Sequence, residues 1–374
     1  MSYSVVDRQS PLSFLQQRLN YTSKIERPLT FLVENVPQWF KILNFSPVLT
    51  KNITSYANCQ GEMELLEAIR QREAQHYDLQ INSDQILVTN GAFHGISLLT
   101  RYLFQSGSQV LCQTPVLDSV EKILRSQGYE IVYFSIDEND NYADVLQQQI
   151  QAGIRLIYLN SPHNPTGRII SKREWEQLLK WAVQCNIAVI ADLVYDSFIF
   201  DSSYPLNPLV LQQDWQNLFV VNSMSKNYGA PGLRIGWIIT HSLHIAMLTS
   251  QLEAECISVC TSSQYQAVEL IKWGNSELVT NVTADWLFVQ QQLAILPNVD
   301  FKAPAGGTQY FVNLPVTDVE AFADFMLVEY GLVLVTSGNY VKSEGAYIRI
   351  PLGQARETVV HGIELLAKGL NRWC

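Results

Sequence analysis

The chain has 374 residues, with 25 basic against 35 acidic side chains and a formal net charge of −10. That length exceeds what one hydrophobic core usually serves, so a larger and a smaller domain are expected. The negative balance disfavours a nucleic-acid backbone or an anionic membrane surface as partner, and any anionic ligand must be held by local cations. The opening MSYSVVDRQSPLSFLQQRLN has no basic stretch followed by an apolar core, so a secretory signal is not expected. Apolar runs such as NIAVIA stop far short of the ~18 residues a membrane helix needs. The six cysteines are scattered and show no CxxC metal spacing. They read as reduced thiols in a soluble, cytoplasmic protein with no metal site.

In chain order, the strand DQILVTN is followed by a helix in GAFHGISLLTRYLF. Next come the strand SQVLCQT, a helix near DSVEKILRSQG, and the strands EIVYFSI and RLIYLN. The helix SKREWEQLLKWAVQC and the strands NIAVIAD and NLFVVNS complete the middle of the chain. Nearly continuous apolar strands separated by helices predict an α/β fold: a mostly parallel sheet flanked by helices on both faces. After about residue 245 the pattern turns to longer helices, including SSQYQAVELIKWG, with strands TQYFVNL and AYIRIPL. Residues 46–249 are therefore expected to form the large domain, and 1–45 plus 250–374 a smaller α+β domain.

In such sheets ligands sit at the carboxyl ends of the strands. The polar clusters TNGAFHG, LNSPHNPTG, ADLVYD and NSMSK all follow or end an apolar strand. In the first, Asn90 and Gly91 interrupt the chain before a helix, which leaves the amides of Ala92 and Phe93 facing one point, a ready anion site. Ser223, Ser225 and the fork of Arg234 are further donors for the same anion. The turn SPHNPTG holds the amide of Asn164 at the sheet edge. Asp192 ends a buried strand, where a carboxylate is costly unless paired, and Tyr195 follows three residues on. Taken singly, each reads plainly as a turn, cap or solvated loop. Taken together, a lysine (Lys226), an aspartate, an asparagine, a tyrosine and an anion-binding turn suit a phosphorylated pyridine aldehyde. The lysine would bond to the aldehyde, and the aspartate would keep the ring nitrogen protonated.

The chain resembles the fold-type I pyridoxal-phosphate enzymes of the class I/II aminotransferase family, from about YANCQGEMELLEAI to AYIRIPLG. The stretch SMSKNYGAPGLRIGW matches the family's Ser-x-Ser-Lys-x(7)-Arg-x-Gly pattern, with PHNPTG and ADLVYD in the expected order before it. The resemblance implies pyridoxal 5'-phosphate bound covalently to Lys226, with Asp192 on the pyridine nitrogen and Asn164 and Tyr195 on the ring hydroxyl. It implies that the amides of Ala92 and Phe93, with Ser223, Ser225 and Arg234, hold the phosphate. Tyr56 matches a tyrosine that reaches the phosphate of the neighbouring subunit, which implies a homodimer with shared sites. Arg349, in YIRIP, matches the arginine that grips the α-carboxylate of an amino-acid substrate, with Asn164 beside it.

Two positions depart from the pattern. Leu117 stands where the family usually stacks an aromatic ring on the cofactor, and Asn35 stands where a glycine usually approaches the substrate carboxylate. Both lie on the substrate side, so they bear on reaction type rather than on cofactor binding. The best reading is an aminotransferase, converting an L-α-amino acid to a 2-oxo acid. SPLSFLQQRL and SKNYGAPGLRIGW are also similar to capreomycidine synthase and related cyclases, which implies, as the alternative, elimination and ring closure on a hydroxyarginine. Glu26 and Glu34, placed at a pocket mouth, would then receive a guanidinium. His94 reads as a packing residue of a first helix turn, His163 as a neighbour of the ring hydroxyl, and His241 and His244 as a surface helix start. Cys256 and Cys260, four apart, read as small hydrophobes of one helix.

Overall fold

The structure is a computed structural model that describes residues 4–39, 54–137, 140–149, 153–200, 207–212 and 214–373. Helix α1 (Phe14–Tyr21) and the short strand β1 (Thr30–Leu32) come first, then α2 (Met63–Tyr77), β2 (Ile86–Thr89) and α3 (Ala92–Leu103). The middle continues with β3 (Gln109–Thr114), β4 (Val116–Leu117), α4 (Asp118–Ser126), β5 (Glu130–Ser135) and α5 (Tyr142–Gln149). Then follow β6 (Ile154–Asn160), α6 (Lys172–Gln184), β7 (Ala188–Asp192), β8 (Leu218–Ser223), the single-turn α7 (Met224–Asn227) and β9 (Gly236–Ile239). Three helices, α8 (Ser242–Cys256), α9 (Thr261–Trp273) and α10 (Ser276–Ala294), lead to β10 (Asp300–Phe301) and β11 (Gln309–Asn313). The chain closes with α11 (Val319–Tyr330), β12 (Leu332–Thr336), β13 (Tyr340–Val341), β14 (Tyr347–Pro351) and α12 (Arg356–Trp373).

The large sheet has seven strands in the order β2-β9-β8-β7-β6-β3-β5. Its pairings are parallel from β8 through β7, β6 and β3 to β5, and β9 alone runs against both of its neighbours. Strands β2 and β8 are buried along their whole length and β6 nearly so, because helices cover both faces. The expected α/β fold with a mostly parallel sheet is the one observed. Strand β9 was hidden in the sequence inside the glycine-rich run that contains Lys226 and Arg234. Helix α6 starts at a capping box: the Ser171 hydroxyl accepts from the Glu174 amide, and the Glu174 carboxylate accepts from the Ser171 amide.

A second sheet of five strands runs β1-β12-β14-β11-β10 and packs on α10, α11 and α12. The larger core takes in Leu252, Val259, Ala267 and Leu270 of the α8–α9 region, while the second core begins with Leu278 of α10 on that side. The expected boundary at residues 45 and 46 lies outside the described residues, as does Cys374. The two sheets are tied by a small antiparallel pair, β4 with β13, in which Leu117 faces Tyr340. Cys256 ends α8, and Cys260 precedes α9 as an exposed cap, so the expectation that they share one helix is corrected. Ile257, at φ 64°, breaks the helix between them.

Helix α1 is fastened by one buried arginine. Arg18 has Nη2 on Glu320 Oε2 at 2.6 Å and Nε on Asp324 Oδ1 at 2.9 Å, and it is fully buried. The other oxygen of Asp324 accepts the amides of Val5 and Val6 at 2.7 and 3.1 Å. Removing Arg18 would leave two carboxylates uncompensated in the interior, which typically costs about 3–5 kcal/mol. Arg18→Ala is expected to lower unfolding stability by about that amount in urea denaturation; a loss under about 1 kcal/mol, the usual range of a solvated pair, would contradict it.

Candidate active site

The carboxyl ends of β6, β7 and β8, the start of α3, and the segment after β1 surround a cavity of about 450 Å³. Eleven of the twelve residues singled out from the sequence line it: Lys226, Asp192, Tyr195, Asn164, Ala92, Phe93, Ser223, Ser225, Arg234, Arg349 and Asn35. Tyr56 does not; its side chain is 80% exposed on the surface. Glu34 and Leu117 line the cavity, whereas Glu26 lines a separate surface depression beside Tyr21 and Lys24. The expectation that Glu26 lies at the pocket mouth is therefore corrected. It lies before β1, on the far side of that strand from Glu34 in the chain.

Lys226 sits in the last turn of α7, and its Nζ donates to Asn35 Oδ1 at 2.9 Å. Burial pulls its pKa down to about 8, with the positive field of Arg349 adding to the effect and Glu34 opposing it. Asn35 Nδ2 in turn donates to the Tyr195 hydroxyl at 2.8 Å and to Gln309 Oε1 at 2.9 Å. One side chain in the place of a glycine thus ties the lysine to the tyrosine.

Asp192 ends β7, deep in the cavity. Its Oδ2 accepts from the Tyr158 hydroxyl at 2.8 Å and its Oδ1 from the Val194 amide at 3.2 Å. Among the described residues no cation pairs with it, and burial pushes its pKa up to about 6. Asn164 is held by its backbone amide on Asn160 Oδ1 at 2.7 Å and by Tyr340, whose hydroxyl donates to Asn164 Oδ1 at 3.0 Å. That leaves its side-chain amide nitrogen to offer to a ligand. Arg349, in β14, donates from Nη1 to the Tyr340 hydroxyl at 3.0 Å and from Nη2 to the Val33 carbonyl at 2.6 Å. Its Nε is buried and has no partner among the described residues. An oriented guanidinium with an unspent donor is a carboxylate receptor.

The start of α3 is a tight cradle. Gly91 has φ +81°, and a Cβ there would stand 2.6 Å from Arg234 Nη2. A Cβ on Gly236 would stand 2.6 Å from the carbonyl carbon of Gly91 and 2.8 Å from the Ala92 nitrogen. Glycine at both places lets β9 and the arginine close on the helix start. The first-turn amides of Ala92 and Phe93 have no acceptor within the helix, and Arg234 has no acidic partner among the described residues. Ser223 caps α7 by accepting the Ser225 amide at 3.3 Å.

These groups fit pyridoxal phosphate. There is an anion cradle at one end, a buried carboxylate without a cation for the ring nitrogen, a half-buried lysine with a lowered pKa, and an arginine with an unspent donor. Sequence reasoning missed Tyr158, Gln309 and Tyr340, which hold Asp192, Asn35 and Asn164. Tyr158 left one trace: it lies two residues before Asn160 on β6 and so shares its face. His163, buried against Thr166, has its pKa pulled to about 3 by desolvation and lines the cavity as a neutral ring. His94 accepts the Asn90 amide at the helix start, and His241 caps α8.

Fold and cavity together define a fold-type I pyridoxal-phosphate enzyme. Residues 28–366 match the family Aminotransferase class I and II. The chain is 39% identical to the L-aspartate:5-guanidino-3-methyl-2-oxopentanoate transaminase of Pseudomonas syringae pv. syringae, over 99% of this chain and 97% of that one. It is 35% identical to the 3-methylarginine biosynthesis aminotransferase ArgM of Streptomyces arginensis, over 95% of this chain and 96% of that one. Among solved structures, the aspartate aminotransferase of Thermotoga maritima superposes with a TM-score of 0.86 at 22% identity, covering 98% of this chain and all of that one. The chain belongs to the class I and II aminotransferases and is a pyridoxal-phosphate-dependent aminotransferase.

The raised pKa of Asp192 has a sign that can be tested. The unfolded carboxyl ionises near 3.8 and the folded one near 6, so the native state loses stability as pH rises through that window. Above it the penalty is on the order of 2–3 kcal/mol. In the cofactor-free protein, Asp192→Asn is expected to gain stability relative to wild type between about pH 4 and about pH 7.5, read by urea denaturation at the two values. A difference that does not grow with pH would contradict the buried, cation-free carboxylate.

Proposed function

We propose that this aminotransferase moves the amino group between an L-α-amino acid and a 2-oxo acid whose side chain ends in a guanidino group. The carrying observation is the near-full-length match to two relatives whose names specify 5-guanidino-3-methyl-2-oxopentanoate and 3-methylarginine. L-Aspartate enters as amino donor from the first of those names.

Bound pyridoxal phosphate supplies an aldehyde that takes up the amino group and a ring that accepts the electrons released at Cα. The chain supplies the rest. Lys226 would be the covalent anchor and, as a free amine, the base that takes the Cα proton. A pKa near 8 keeps part of the amine neutral at neutral pH. Asn35 Oδ1 fixes where Nζ stands, and Asp192 would hold a proton on the ring nitrogen. Asn164 and Tyr195 would hold the ring oxygen, and Arg234, Ser223, Ser225 and the amides of Ala92 and Phe93 would hold the phosphate. Arg349 grips the α-carboxylate, with Asn35 and Asn164 at its side, so that Cα is presented to Lys226. Leu117 offers the ring an apolar face in place of a stacked aromatic.

On the same reading the enzyme is a homodimer, with the exposed Tyr56 reaching the partner's phosphate. We divide the chain between α9 and α10, where the two cores change over, rather than at residue 249. The five described cysteines are free thiols, which suits a reducing compartment, and we place the enzyme in the cytoplasm.

A single turnover tests the reaction. Mixed with L-arginine or L-aspartate and no 2-oxo acid, the holoenzyme should release one equivalent of 2-oxo acid and retain pyridoxamine phosphate, seen as a shift in cofactor absorbance. Lys226→Ala should slow this by roughly 10³-fold or more. An unchanged cofactor spectrum while the amino acid is consumed would point instead to elimination or cyclisation.

A further inference from the structure

Among the described residues, the cavity is lined by two carboxylates, Asp192 and Glu34. Asp192 is deep and committed to the ring nitrogen. Glu34 is exposed, lines the opening of the same cavity, and has no ion-pair or hydrogen-bond partner for its carboxylate among the described residues. Only its backbone carbonyl is engaged, by Gln354 Nε2 at 2.8 Å. Its neighbours are both fixed: the Val33 carbonyl accepts from Arg349, and the Asn35 side-chain oxygen accepts from Lys226. Backbone and flanking residues are thus pinned, while one exposed carboxylate on the cavity lining is left without a partner among the described residues. Its charge reaches the reaction centre weakly enough to leave Lys226 depressed, yet it is among the fields acting on that lysine.

We infer that Glu34 is a specificity-determining residue that receives the cationic, guanidinium end of the substrate side chain; this rests on the guanidino-substrate reading above. With the α-carboxylate on Arg349 and Cα beside Lys226, the far end of the side chain is what meets the opening. Leu15 and Leu117 line the cavity as apolar surface for the methylene stem. A guanidinium opposite a carboxylate makes charge-assisted, bidentate hydrogen bonds. The same placement lets one cavity serve aspartate as well. The distal carboxylate of aspartate is three bonds closer to the reacting carbon than a guanidino carbon, so it stays inward among the cations and away from Glu34.

The test compares wild-type and Glu34→Gln holoenzymes with L-arginine, L-norleucine and L-aspartate in the half-reaction. Losing the charge should raise KM for arginine roughly 10- to 100-fold, with kcat nearly unchanged. Norleucine, whose shorter unbranched side chain carries no distal charge, and aspartate should hold their kcat/KM within about 3-fold, a change worth about half a power of ten. Equal loss on all three substrates, or an unchanged KM for arginine in an enzyme whose wild type uses it, would overturn the role of Glu34 and leave the substrate reading standing. A wild type that converts aspartate but neither arginine nor its guanidino 2-oxo acid would overturn the substrate reading, and the assignment of Glu34 with it.

Discussion

Two opposite charges, the half-buried Lys226 and the buried Asp192, stand at adjacent strand ends, and neither has an ion-pair partner among the described residues. Each is held only by neutral hydrogen-bonding groups: Asn35 on the lysine, and Tyr158 with the Val194 amide on the aspartate. Such groups are expensive to keep in a folded interior, and their pKa values move toward neutrality as a result. A cationic pyridine ring and an aldehyde would relieve both at once. The cost of holding them apart falls on the scaffold, which has to be rigid where they stand.

A second buried network supplies that rigidity. Asp196 accepts from Arg72 at 2.6 Å, from the Tyr77 hydroxyl at 2.5 Å and from Asn222 Nδ2 at 2.8 Å. Asn222 Oδ1 takes the Ser223 amide and Asn227 Nδ2, and Asn227 Oδ1 takes the Ser197 amide. Helix α2, the loop after Asp192 and the short helix carrying Lys226 are thereby joined by hydrogen bonds as well as by packing. Strand-end geometry does the rest, since β6, β7 and β8 run parallel and deliver Asn160, Asp192 and Ser223 to one edge.

Much of this was legible in the sequence. The alternation of apolar runs and helices pointed to the sheet, because a strand that is apolar on both faces needs a helical layer on each side of it. The spacing from Lys226 to Arg234, with Asp192 and Tyr195 upstream, pointed to most of the cavity, because these residues sit at strand ends that topology must bring together. The partners Gln309 and Tyr340 were not legible, since they act across 274 and 176 residues and carry no local pattern. Asn35 stood out only as a departure, and its bond to Lys226, 191 residues away, required the fold. Glu26 and Glu34 looked alike as charges in an N-terminal segment. They part company because β1 lies between them, and only the residue after the strand reaches the cavity.

On the proposed function, one cavity worked by one lysine loosens the Cα proton of side chains with opposite distal charge. Exchange of that proton in heavy water, followed by NMR on L-arginine and L-aspartate together, tests it most directly. Both Cα signals should disappear in the presence of holoenzyme, each amino acid slowing the other as a competitor for the same site. Exchange of aspartate alone, or of the two without mutual competition, would contradict it.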